Sequence, residues 1–121
     1  MKDKRVHRIS EEVKRELSEI IQTKLKDPRI PPLTSVSYVS ITRDLSFAYA
    51  GISIFGEDDQ KKDAIDGLES AKGFIKMELG KRLKLRAMPE IIFELDESIE
   101  KGMELQQTID NLKMNTTGHS V

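Results

Sequence analysis

Between Lys72 and Arg86 the chain carries six cations, Lys72, Lys76, Lys81, Arg82, Lys84 and Arg86, against one acid, Glu78. Ammonium and guanidinium groups at that density suit charge-assisted hydrogen bonding to phosphates, with release of condensed counterions. A second basic group, Lys2, Lys4, Arg5, His7 and Arg8, stands at the start of the sequence and reads as a basic arm, either free or phosphate-contacting. The plainer account of both groups is solvated charge on helix faces. The formal net charge of −1 hides local balances of +3 over residues 1–30, −4 over 31–71, +5 over 72–86 and −5 over 87–121. A polyanion responds to the local field, because beyond about 8 Å charges are increasingly screened at physiological salt.

Other chemistries fare worse. Glu57-Asp58-Asp59 invites an acid/base or metal reading, but adjacent carboxylates do not converge on one point, and Asp58 or Asp59 serves simply as a helix cap. The two histidines, His7 and His119, lie in opposite terminal segments, and no Gly-rich phosphate loop or nucleophile elbow is present. There is no cysteine, which removes thiolate ligands and a thiol nucleophile and fits a reducing compartment. No apolar run is long enough to span a membrane, and the first residues lack a signal-peptide pattern. The expectation is a soluble, cytoplasmic protein, with no metal site and no converging acid/base pair to make it an enzyme. At 121 residues, 34% charged and 37% hydrophobic, the chain fits one domain with one core.

The elements that must position these cations follow from periodicity. Ala64, Ile65, Leu68, Ala71, Ile75, Leu79 and Leu83 keep to one helical face over 61–86, interrupted by Gly73. Either one long helix or two helices meeting at Ala71-Lys72-Gly73 satisfies that spacing. Upstream, Ile9, Val13, Leu17, Ile20, Ile21 and Leu25 predict a helix over 10–25 with Ser10 as N-cap, stopped by Asp27-Pro28-Arg29. Val36 to Ile41 predicts a strand with a bulge near Tyr38, because the alternation changes face there. Arg43-Asp44-Leu45-Ser46 is a hairpin connection, and 47–55 a second strand. One face of it, Ala48, Ala50, Ile52 and Ile54, suits helix packing; the other, with Phe47, Tyr49, Gly51 and Phe55, is left open between packing and base stacking. Residues 90–96 predict a third strand, followed by a terminal helix capped by Asp96 or Ser98 and carrying Ile99, Met103, Leu105, Ile109 and Leu112. A domain over 1–113 and an unstructured tail over 114–121 complete the expected organisation.

That order of elements, α-β-β-α-kink-α-β plus a C-terminal helix, is the order of a type II KH-like α+β fold: a three-stranded sheet with helices packed on it. KH domains clamp nucleic acid with a Gly-X-X-Gly loop between two helices, and that loop is missing here. More specifically, the chain resembles bacterial ribosome-binding factor A over roughly residues 4–113. The resemblance rests on Arg5-Val6-His7-Arg8-Ile9, Asp27-Pro28-Arg29, Asp44-Leu45-Ser46 and Ser70-Ala71-Lys72-Gly73-Phe74-Ile75. It continues through Glu78-Leu79-Gly80-Lys81-Arg82-Leu83-Lys84-Leu85-Arg86, Pro89-Glu90 and Asp96-Glu97-Ser98-Ile99-Glu100. The family's Ala-X-Gly interhelical kink falls on Ala71, Lys72 and Gly73. Tyr49-Ala50-Gly51 departs from a more β-branched strand, which puts the packing of that strand in question.

The resemblance implies a non-catalytic, monomeric assembly factor, with no cofactor or small-molecule substrate, that binds the free 30S subunit and 16S rRNA. It further implies support of late 16S maturation, including 5′-end processing, and of cold adaptation. On this reading Arg5, Arg8, Lys72, Lys76, Lys81, Arg82, Lys84 and Arg86 face rRNA backbone, and Gly73 supplies backbone angles other residues avoid. The alternatives are a general KH-like module for single-stranded RNA or DNA, and a protein-interaction domain. The latter gains weight if Tyr38, Tyr49 or Phe55 is exposed in one patch.

Overall fold

The computed structural model describes residues 4–85 and 87–98. Helix α1, Lys4–Thr23, starts six residues before the predicted cap. Val6 continues the apolar stripe of Ile9, Val13 and Leu17 and packs against the core, so the amphipathic period runs back past Ser10. Ser10 is therefore inside the helix, its hydroxyl donating to the Val6 carbonyl at 2.9 Å rather than capping. From Lys4 onward the basic arm is accordingly helical, with Arg5, His7 and Arg8 exposed on the first turns of α1, while Lys2 lies outside the described residues. Asp27 then closes a turn by accepting from the Arg29 backbone N–H at 2.9 Å and from its guanidinium at 2.6 Å. This turn rests on the following helix pair where Gly67 leaves room: a Cβ there would stand 3.1 Å from Ile30 and 3.4 Å from Asp27.

Strands β1, Ser35–Ile41, and β2, Phe47–Ser53, pair antiparallel, and the register shifts between Val36 and Tyr38, where the bulge is predicted. The hairpin is held by Asp44, which accepts from the Ser46 N–H at 3.0 Å and the Thr42 hydroxyl at 2.8 Å. Leu45 takes the left-handed conformation (φ 63°) that the turn demands. Helix α2, Asp58–Ser70, has Glu57, not Asp58 or Asp59, at its N-cap. The Glu57 N–H donates to Gln60 Oε1 at 2.7 Å, and the two aspartates lie in the first turn, where the helix dipole favours them.

Helix α3 runs Lys72–Arg82, so the two-helix reading holds. It ends before the predicted Arg86: Leu83 turns extended (φ −109°, ψ 130°) and buries its side chain in the core. Strand β3, Glu90–Leu95, pairs parallel to β2, giving a sheet ordered β1-β2-β3. The three described helices cover one face. Ala48, Ala50, Ile52, Ile91 and Phe93 meet Val13, Leu17, Ile20, Leu68, Ile75 and Leu79 there, so the alanine face of β2 does accept helices. This is an α+β, KH-like arrangement. The predicted terminal helix and tail lie outside the described residues.

Candidate nucleic-acid interface

The geometry of α3 is set by three side chains. Ile75, Leu79 and Leu83, four residues apart, are buried, which turns Gly73, Phe74, Met77, Gly80 and Lys81 toward solvent. Phe74 is 39% and Met77 50% exposed, an apolar pair that the sequence reading did not single out. Their signal was available: positions 73, 74, 77, 80 and 81 form a second helical face, offset from the core stripe.

The predicted cations divide into distinct roles. Arg82 bridges α3 to α1, its guanidinium 3.1 Å from Glu16, 3.0 Å from Glu19 and 3.7 Å from Glu78. Donating to the carboxylates of Glu16 and Glu19 raises its pKa above the usual value, and only 20% of the side chain is exposed. Arg82 is thus a strut between helices, its charge already met by three carboxylates. Lys72 is half-buried, 2.7 Å from Glu69, with its ammonium 5.6 Å above the Phe93 ring centroid. Lys76 reaches Glu90 on β3 at 3.3 Å. Lys81 approaches Glu78 at 3.5 Å but remains 66% exposed, a contact too solvated to hold it. Lys84, beyond the helix end, is exposed. Arg86 lies outside the described residues.

The α1 cations are not gathered around Arg82. Arg8 precedes Glu16 by eight residues, about 12 Å of helix rise, so Arg5 and Arg8 stand more than two turns from that junction. Phe74, Met77 and Lys81 make the outward α3 face, with exposed Lys84 just past the helix end; Arg5 and Arg8 make a separate exposed group on α1.

The interhelical joint also differs from expectation. The break is at Ala71 (φ −89°, ψ 2°), the last cap of α2 and the first of α3 at once. Its N–H is shared between the Gly67 and Leu68 carbonyls at 3.1 Å each, and its carbonyl accepts from Ile75 at 2.9 Å. Gly73 does not occupy a left-handed conformation, and a Cβ there would meet nothing within 4 Å. Gly73 therefore supplies no special backbone angle. With one residue between the helices there is no loop to wrap a nucleic-acid backbone.

A family model described as ribosome-binding factor A matches residues 5–109. A ribosome-binding factor A from Acetivibrio thermocellus is 46% identical over 114 residues, covering 94% of this chain and 93% of its own length. The crystal structure of ribosome-binding factor A from Thermus thermophilus superposes with a TM-score of 0.69 at 27% identity, over 77% of this chain and 97% of that one. A homology model of the Thermus thermophilus factor, fitted into a cryo-EM map of a 30S–RbfA complex, matches with a TM-score of 0.62 at 28% identity, over 73% and 91%. With the α-β-β-α-α-β order, the Ala71 joint and these matches agreeing over most of its length, the chain belongs to the ribosome-binding factor A family.

Proposed function

We propose that the protein is a non-catalytic assembly factor that binds the free 30S subunit as a monomer in the cytoplasm. On this reading it contacts 16S rRNA and supports late 16S maturation, including 5′-end processing, and growth in the cold. The observation that carries the reading is the α3 surface: Phe74, Met77 and Lys81 face outward and uncovered among the described residues, exposed Lys84 follows the helix end, and α3 joins α2 without a clamping loop. The relative fitted into a 30S complex supports the choice of partner. Lysine ammonium groups on such a face meet phosphates, while a face lacking a base-reading loop recognises RNA by shape rather than sequence. Favouring one rRNA arrangement shifts the population of immature subunits toward it without any bond being made or broken.

Within the predicted set, Lys81 and Lys84 carry most of this contact, followed by Arg5 and Arg8, with Lys72 and Lys76 at the flank. Arg82 acts indirectly by fixing α3 against α1. The test is co-sedimentation of the full chain with separated 30S subunits and with assembled ribosomes. Binding should favour free 30S and fall by about tenfold or more when Lys81→Glu and Lys84→Glu are combined, since each lost phosphate contact also lowers the salt dependence by about one counterion. Equal binding to both particles, or undiminished 30S binding by the double variant, overturns the assignment. Tight binding to short single-stranded oligonucleotides instead would favour a general KH-like module.

A further inference from the structure

The face of the sheet turned away from the helices has a chemistry opposite to that of α3. Its outward positions are Ser35, Tyr38 and Ser40 on β1, Phe47, Tyr49, Gly51 and Ser53 on β2, and Glu90, Ile92 and Glu94 on β3. None of the three strands contains a lysine or arginine. A solvated antiparallel face normally alternates to polar residues. Here Phe47 is 42% and Tyr38 38% exposed, and Tyr49 and Ile92 are half-buried beside them. The Phe47 and Tyr49 rings lie 6.4 Å apart at 37°, offering adjacent aromatic surface.

Tyr38 has a structural role, since it lies over Gly51 and its hydroxyl donates to Glu94 at 2.6 Å. Phe47 and Tyr49 have no such role among the described residues. At one end of the row Glu90 is met by Lys76. At the other end Glu94 and Asp96 accept hydroxyl protons from Tyr38 and Ser37, each at 2.6 Å, and neither pairs with a cation among the described residues.

Aromatic faces followed by unneutralised carboxylates attract cations and repel phosphates. We propose that this outer face docks an extended, arginine- or lysine-rich segment of a partner protein, with one cation over Tyr49 and the next on Glu94. Along a strand, residues two apart on one face are about 6.8 Å apart, so Phe47, Tyr49 and the Gly51–Glu94 position match a basic residue at every second place of an extended chain. Charge selects this occupant over the others. The residues from 99 onward carry three acids against two lysines, the same sign as the face, and a second copy would set carboxylate against carboxylate.

The test uses the full chain, isotopically labelled, titrated with a short peptide of alternating arginine and serine. Amide shifts should centre on Ser40, Tyr49, Gly51, Ile92 and Glu94, and Glu94→Gln and Tyr49→Thr should each weaken binding by about fivefold. The glutamate counterpart of the peptide should leave these amides unmoved. The proposal is overturned if the shifts fall elsewhere, or if both variants bind as the parent does. It is overturned equally if a uridine oligomer moves the same amides more strongly, or if nuclear Overhauser contacts join Tyr49 to residues beyond 98 in the free protein.

Discussion

Replacing Gly51 by alanine tests the structure at its least local contact. A Cβ built on Gly51 would lie 2.0 Å from Tyr38 Cε2 and 2.4 Å from Cζ. The strand backbones are fixed by pairing on both sides of β2, so the ring must leave. Its departure loses the hydrogen bond to Glu94, which at 38% exposure contributes about 1 kcal/mol rather than the fuller value of a buried charged pair. Uncovering part of the ring and the Gly51 backbone costs about another 1 kcal/mol at ~25 cal/mol per Å². Alanine recovers roughly 0.5–1 kcal/mol over glycine in a strand. Gly51→Ala should therefore destabilise by about 1–1.5 kcal/mol, read as a lower urea midpoint with unchanged slope. In a Tyr38→Ala background the same substitution should be neutral or stabilising, giving a coupling of about 1.5–2 kcal/mol. An equal cost in both backgrounds would refute the contact between ring and glycine.

Arg82→Gln should lower the thermal unfolding midpoint, because Glu16, Glu19 and Glu78 lose their common partner, whereas Lys81→Gln, largely exposed, should leave it nearly unchanged. Gly73→Ala should raise stability by up to about 1 kcal/mol in denaturant titrations, since open space surrounds the site and a helical glycine is costly. The Tyr38 phenol, pushed up from 10.0 to about 12 chiefly by its bond to Glu94, should give a late phenolate absorbance step that Tyr38→Phe removes. Because the folded pKa is the higher one, the associated stability is intact below pH 10 and is lost as pH rises toward 12. At the acid end, hydrogen bonds from Ser37 and then Ser98 hold Asp96 below its usual 3.8. Its contribution is therefore present above that pH and fades as acid takes the carboxylate through its lowered value, a loss that Asp96→Asn should flatten in acid unfolding curves.

Much of the fold was legible because it rests on local period. The change of face at Tyr38 announced the bulge, and the 64–83 stripe announced helix, though its spacing left one long helix or two equally open. Misreadings arose where burial outweighed local chemistry. Ser10 has the residue type of a cap, yet Val6 packs in the core and draws the helix past it. Leu83 fits the helical stripe, yet enters the core from an extended backbone. The glycine that looked like the hinge is a solvent-facing first-turn residue, while the joint sits at Ala71. The charge count placed Arg82 among the phosphate-facing cations, because Glu16 is 66 residues away in sequence and no local pattern reveals that pairing. The Tyr49-Ala50-Gly51 departure, doubtful in isolation, is resolved by Tyr38 from the neighbouring strand.

The sheet is closed by one near seam and one distant seam. The β1–β2 seam is a short hairpin, whereas the parallel β2–β3 seam forms only after α2, Ala71 and α3 have crossed over between them. Loop closure makes the distant seam the slower step in refolding. The helix bearing Lys81 is itself part of that crossover, so its orientation and the zipping of β3 become one kinetic event. Amide exchange in β3 should consequently report on α3: a partner that grips the helix also slows the opening of the last strand to solvent.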